Sequence, residues 1–234
     1  MPRKSKNAKP KQAPLGRLAS AIKPEKTVWI WKDLIAEGCV TVIAGNPGTA
    51  KSQIAVTLAA KVSKRGTWPC GGGSAPEGDV VMLIGEDDLA KRIRPLLMAA
   101  KANLDRIHLI GEHDDVDYKP IDLSDVEDFD RLCLAIENTR RPKLLIIDPA
   151  SAFFGHAASN MGGARKLITK LNHWAKYYEI GIVLICHLTR SGGMPTRHAN
   201  RVPPTGATQE CVEADTGSGR NGLSAAASRH ARAL

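Results

Sequence analysis

A loop-like segment between two apolar stretches combines glycine and proline with a lysine and a serine. It reads GNPGTAKS (residues 45–52), follows the strand-like CVTVIAG and precedes SQIAVTLAAKVSK, whose apolar residues have helical spacing. Successive backbone N–H groups at the start of a helix bind an anion, and the helix dipole adds partial positive charge. The lysine can reach the terminal phosphates of a nucleotide, and the serine hydroxyl can bind Mg²⁺. The predicted nucleotide contacts are Gly45, Asn46, Pro47, Gly48, Thr49, Ala50, Lys51 and Ser52, with Ser52 also a metal ligand.

Ala50 stands where this loop pattern usually has glycine. If the position requires a positive φ, alanine costs about 1–2 kcal/mol. If the residue already has helical dihedral angles, alanine costs nothing and favours the following helix. The sequence leaves both alternatives open.

An aspartate ends the apolar segment KLLIID, residues 143–148. An acid at the end of a buried strand can hold Mg²⁺ through its water shell, the arrangement known as Walker B. A strand-end aspartate can instead cap the next helix. Combined with the phosphate-binding loop, the pattern favours Asp148 as a metal ligand.

Two further strand ends carry candidate catalytic groups. Glu86 follows VVMLIG, the strand after the loop's helix, so it is expected at the sheet edge that holds the nucleotide, where a carboxylate can deprotonate the attacking water. Asp87 and Asp88 are typical of a helix start, and the alternative is that Glu86 is a third such acid. His187 ends GIVLICH and is predicted to sense the γ-phosphate, with a purely structural role as the alternative. Arg190, in the glycine-rich segment that follows, suits a phosphate backbone or solvent equally.

Short apolar segments alternate with longer helical ones between about residues 26 and 193, which predicts an α/β fold with a mostly parallel sheet flanked by helices. The predicted strands are residues 39–45, 80–85, 106–110, 143–148 and 181–187. The predicted helices are residues 52–64, 86–103, 125–140 and 164–178.

Composition divides the 234 residues into three parts. Residues 1–25 form a basic arm, expected to be disordered or, less often, to bind nucleic acid. Residues 26–193 form the core, and residues 194–234 are a low-complexity tail with too little apolar surface to fold. The net charge of +9 favours a polyanionic partner. No segment is long enough to cross a membrane, and five cysteines without paired spacing indicate reduced thiols in a cytoplasmic protein.

Together these segments resemble the RecA-type ATPases of the hexameric RepA helicase kind, an AAA-like group found in plasmids and prophages. The resemblance covers about residues 27–193, including VWIWKDLIAEGCVTVIAGNPGTAKS, GTWPCGGGSAPEGDVVMLIGEDD, KLLIIDPASAFFG and CHLTRSGG. It implies a RecA-like P-loop core that binds ATP and Mg²⁺, assembles into a hexamer and moves on single-stranded DNA. It also implies roles for five residues: phosphate and Mg²⁺ binding by Lys51 and Ser52, catalysis by Glu86, the Walker B acid at Asp148 and the sensor at His187.

The chain departs from this family pattern at two places. The loop GNPGTAKSQ is similar to that of the MCM replicative helicases, which carry alanine at this position and hydrolyse ATP, so Ala50 is expected to be benign. That similarity is local, because Asp148 is followed by Pro149 and not by a second acid. Beyond residue 193, family members continue with further strands and an arginine that completes the neighbouring subunit's site. The low-complexity tail here suggests a truncated or frame-shifted end, or a divergent one.

Other functions remain open at this point. The main alternative is a truncated nucleotide-binding protein with little or no turnover, for which hexamer formation is doubtful. A small-molecule P-loop kinase is less favoured, because no arginine-rich lid segment interrupts the core. A DNA- or protein-binding module of another kind completes the set.

Overall fold

The computed structural model describes residues 16–111, 120–159 and 161–188. The predictions for most of the basic arm, for Arg190 and for the low-complexity tail therefore lie outside the described residues.

The first elements form a small antiparallel hairpin that the sequence analysis did not predict. Its strands are β1 (Trp29–Trp31) and β2 (Ile35–Ala36). Trp31 stacks on Trp68 with ring centroids 4.7 Å apart, and the Trp68 indole N–H donates to the Ile30 carbonyl at 2.8 Å. This pairing fastens the hairpin to the connector that follows the first helix.

Five parallel strands form the central sheet, as the alternating apolar segments predict. They are β3 (Val40–Gly45), β4 (Asp79–Ile84), β5 (Ile107–Gly111), β6 (Pro142–Asp148) and β7 (Gly181–His187). Their order in the sheet is β3-β7-β6-β4-β5, so β3 lies at one edge of the described sheet. The predicted strands and the α/β class are confirmed.

Helices cover both faces of this sheet. They are α1 (Lys51–Ser63), α2 (Arg94–Ala99), α3 (Val126–Glu137), α4 (Ala150–Phe153) and α5 (Met161–Tyr178). Alternate residues of a strand point to opposite faces. Val80 and Met82 accordingly pack in the core with α1 and α2, whereas Val81 and Leu83 pack in the core with α3 and α5.

The helix after β4 differs from the prediction of one helix over residues 86–103. Asp88 caps the segment by accepting from the backbone N–H groups of Ala90 and Lys91. A π-helical turn (Leu89–Ile93) then leads into α2. Pro95 has no N–H to donate to the carbonyl four residues earlier, which removes one α-helical hydrogen bond at this point. Glu86 and Asp87 consequently lie outside the helix.

Candidate functional site

The carboxyl ends of neighbouring strands bring the predicted site residues to one edge of the sheet. Gly45 on β3 is paired in register with His187 on β7, and Ile84 on β4 is paired with Asp148 on β6. Ligands of open α/β sheets bind at this carboxyl edge. The strand order therefore assembles a site from segments far apart in the sequence.

The loop between β3 and α1 contains two residues with positive φ. Gly48 has φ 80°, and Ala50 has φ 61° and ψ 24°, which is the left-handed conformation. Of the two alternatives for Ala50, the structure has the one that costs about 1–2 kcal/mol. The alternative with helical dihedral angles, in which alanine costs nothing, is not the one that the chain adopts. That the loop still binds nucleotide stays a prediction.

Lys51 is buried inside this loop, with 4% of its surface exposed. Its ammonium group donates to the carbonyls of Gly45 at 2.9 Å and Asn46 at 2.8 Å, and lies 3.4 Å from the Thr49 hydroxyl oxygen. A buried charge is tolerated only when it is hydrogen-bonded, and these bonds satisfy it. All three acceptors are neutral, so an anionic phosphate would be a stronger partner.

Ser52 and Asp148, the two predicted metal ligands, lie next to each other. Burial raises the pKa of the Asp148 carboxyl and the charges of Asp87 and Glu86 add to this rise, whereas the Ser52 side chain and His187 oppose it. A buried carboxylate whose negative charge is not fully balanced by its neighbours is suited to bind a cation. The hydroxyl and carboxylate oxygens are hard donors of the kind that Mg²⁺ prefers, so the residues fit this ion.

Glu86 and His187, the two predicted catalytic residues, face each other at this edge. The distance from His187 Nε2 to Glu86 Oε2 is 3.8 Å, with 33% and 63% of the respective side chains exposed. His187 Nδ1 is buried and has no hydrogen-bond partner among the described residues. The backbone N–H of Leu188 donates to the Gly45 carbonyl at 3.1 Å, which fastens the end of β7 to the start of the loop. His187 thus lies between Glu86 and the loop.

Asp87 belongs to the same edge, which the sequence analysis missed. Its carboxylate accepts from Arg92 Nε at 3.2 Å, and its charge contributes to raising the pKa of Asp148. The interpretation as a helix-start acid is right for Asp88, which caps the helix, and wrong for Asp87. The sequence feature that could have predicted this position is that Asp87 directly follows Glu86 at the end of a strand.

Gly85 allows this arrangement by letting β4 approach α4 closely. A Cβ atom on Gly85 would lie 2.4 Å from the Cβ of Ala152, which is not possible without a shift. Its backbone N–H donates to the Asp148 carbonyl at 2.9 Å. The glycine therefore holds the start of the Glu86 segment beside the Walker B strand, a role the sequence analysis did not assign.

A family model described as an AAA domain matches residues 4–193, a range that includes the loop, Glu86, Asp148 and His187. The chain belongs to this AAA domain family. The chain is therefore a P-loop ATPase that binds ATP, with Mg²⁺ as the usual ion. No curated protein matches the chain.

In the part of this AAA-domain chain that the structure describes, no helix is both long and apolar enough to cross a bilayer.

Proposed function

We propose that this AAA-domain chain is an ATP-hydrolysing motor of the RepA-like hexameric helicase type, which acts on single-stranded DNA in plasmid or prophage replication. The observation that carries the ATPase part is the convergence of Lys51, the Ser52–Asp148 pair and the Glu86–His187 pair at one sheet edge. The family resemblance supports the helicase part, and the net charge of +9 agrees with a polyanionic partner.

Phosphate binding is assigned to the loop and to Lys51. The ammonium group would exchange its bonds to the Gly45 and Asn46 carbonyls for the terminal phosphates. Ser52 and Asp148 would hold Mg²⁺, which supplies positive charge to the phosphate oxygens.

Water activation is assigned to Glu86. Its side chain is 63% exposed, which leaves it free to accept a proton from a water molecule. His187 is placed to report on this step, because it lies beside both Glu86 and the first residue of the phosphate loop. A change of partner at His187 would pass directly to the segment that follows β7.

A nucleotide-binding protein with little turnover is the second candidate. The strained backbone at Ala50 favours it.

Strand displacement tests the proposal. A forked DNA duplex with a labelled strand is incubated with the chain and ATP, with the Lys51→Ala variant as the control. ATP-dependent release of the labelled strand by the unmodified chain alone supports the helicase. ATP binding without release or turnover supports the second candidate.

A further inference from the structure

The exposed side of α5 is basic from Arg165 to Lys176. The helix contains no acid, and its charged residues are all lysine or arginine. At about 100° per residue, the exposed side chains fall within an arc of about 140°, opposite the buried ones. The exposed residues on this arc, named the α5 basic face below, are Arg165, Lys166, Thr169, Lys170, His173, Lys176 and Tyr177.

The positive charge of the α5 basic face is not compensated within the described part of the chain. None of its residues forms a salt bridge there. Lys166 and Lys170 are four residues apart on one side of the helix, a spacing at which like charges repel. The nearest partner of Lys170 is the ring of Phe129, whose centroid lies 3.4 Å from the ammonium nitrogen. The face therefore suits a negatively charged partner.

The two flanks of this face are bordered by different elements. On one side α3 packs against α5 through Phe129 and Trp174, and α3 carries most of its own charge as acids. On the other side Asn172 accepts from the Val40 N–H of β3 at 3.0 Å, and β3 is the edge of the described sheet. A polyanion is repelled by α3, so it would follow the flank toward β3.

We propose that the α5 basic face binds the phosphate backbone of single-stranded nucleic acid. The inference rests on the proposed function, in which single-stranded DNA is the partner. From Arg165 to Lys176 the face extends over about 16 Å, because each helical residue rises about 1.5 Å. A line of cations of this length matches a linear chain of phosphates better than a single anion.

Two places next to the lysines and arginines suit bases. Tyr177 is 79% exposed at the far end of α5, and exposed aromatic rings beside cations are used to stack bases. At the near end a cavity of about 330 Å³ lies between α5, the segment before α3 and a short 3₁₀ helix (Gly155–Ser159). Its apolar wall includes Leu123, Ala157 and Leu167, while Lys166 and Lys170 line its side.

The chain's own terminal segments are poor candidates for this face. Residues 1–15 contain five lysines and arginines and no acid, and residues 189–234 contain six arginines and three acids. Both segments are net positive and would be repelled. The hydrogen bond between Asn172 and Val40 joins α5 to β3, the strand that leads directly into the phosphate loop.

The test compares two triple variants with equal loss of charge. The first variant replaces Arg165, Lys166 and Lys176 with glutamine. The control replaces Lys32, Arg140 and Arg141, which are also exposed, with glutamine. Each variant lowers the net charge from +9 to +6. Binding of a fluorescent oligothymidylate is measured across a salt series, and ATP binding is measured in parallel to check folding.

The first variant should bind the oligonucleotide at least tenfold more weakly at low salt. The slope of log affinity against log salt should become shallower by about 2, at about 0.7 for each lost phosphate contact. The control should keep most of the affinity and of the slope. Separately, Tyr177→Ala should lower affinity about tenfold without changing the slope, because stacking releases no counterions.

Equal affinity in the two triple variants would overturn the inference and leave the proposed function intact. No oligonucleotide binding by the unmodified chain would overturn both the inference and the DNA part of the proposed function. A change of particle size in the first variant, at unchanged DNA affinity, would overturn the inference and assign the face to contact between copies of the chain.

Discussion

Ala50 has a backbone conformation that residues other than glycine, asparagine and aspartate rarely adopt. We expect Ala50→Gly to raise the free energy of unfolding by about 1 kcal/mol, because the strain of about 1–2 kcal/mol is relieved while glycine loses more entropy on folding. Denaturant titration measures the change. Ala99→Gly, in the exposed last turn of α2, is the matched control and should be destabilising by about 0.5–1 kcal/mol. A loss of stability at both positions would contradict the left-handed conformation of Ala50.

Glu86 is the residue to which we assign water activation, and 63% of its side chain is exposed. Glu86→Gln should keep ATP binding and lower turnover by about 10²-fold or more, the range for a lost general base. Single-turnover kinetics and equilibrium binding of a fluorescent ATP analogue separate the two effects. Glu25→Gln, which removes the same charge at an exposed position, is the control. Unchanged turnover in Glu86→Gln would show that the general base is another residue.

Asp148 has a raised pKa in the folded chain, mainly because it is buried. The folded state therefore binds the Asp148 proton more tightly than the unfolded state does. The resulting stabilisation is complete below the ordinary aspartate pKa of about 3.9, and it is lost as pH rises through the pKa of the folded state. Asp148→Asn should consequently stabilise the chain at pH 7 relative to the unmodified protein, and this advantage should vanish as pH falls toward about 3.9.

Thermal unfolding at a series of pH values, without divalent ions, measures this difference. The same variant should lose the stabilisation that Mg²⁺ with ATP gives the unmodified chain. An advantage of Asp148→Asn that grows toward acid pH would contradict the direction of the pKa shift.

At the scale of elements, close packing between β4 and α4 aligns the site. Gly85→Ala should destabilise the chain by about 1–3 kcal/mol, since the added methyl group would meet Ala152 at 2.4 Å. Turnover should fall as well, because the Glu86 segment must shift. Adding Ala152→Gly removes the opposing methyl group and should restore part of both losses, which a double-mutant cycle measures. Independent, additive effects would show that the two positions do not touch.

The sequence predicts the regular elements of this fold well where apolar residues are continuous. KLLIID and GIVLICH read as buried strands because both faces of their sheet are covered, and both strands are found. The hairpin of β1 and β2 escaped prediction because strands of three and two residues have no readable period. The break in the helix after β4 depends on how Asp88 and Pro95 act together, which periodicity does not show.

The candidate site was predictable only as a list of strand ends. Lys51, Ser52 and Asp148 follow from motif and context, and Glu86 and His187 follow from their places at strand ends. That Glu86 faces His187 depends on the strand order, with β6 between β4 and β7, and no local pattern specifies that order. The bond of Asp87 to Arg92 and the conformation of Ala50 likewise arise from the folded backbone.

At the scale of the whole molecule, the phosphate-loop strand and the α5 basic face lie on the same flank. β3 is the edge of the described sheet, and Asn172 joins it to α5. A chain that binds nucleotide at the end of β3 and a polyanion beside it can link the two events through one strand. This arrangement predicts that single-stranded DNA changes the rate of ATP hydrolysis.

The most direct measurement is therefore ATP turnover across a range of protein concentrations, with and without single-stranded DNA and with Lys51→Ala as the inactive control. The account predicts that turnover per chain rises with concentration, as shared sites form, and rises again with DNA. ATP binding without turnover at any concentration, with or without DNA, would contradict it.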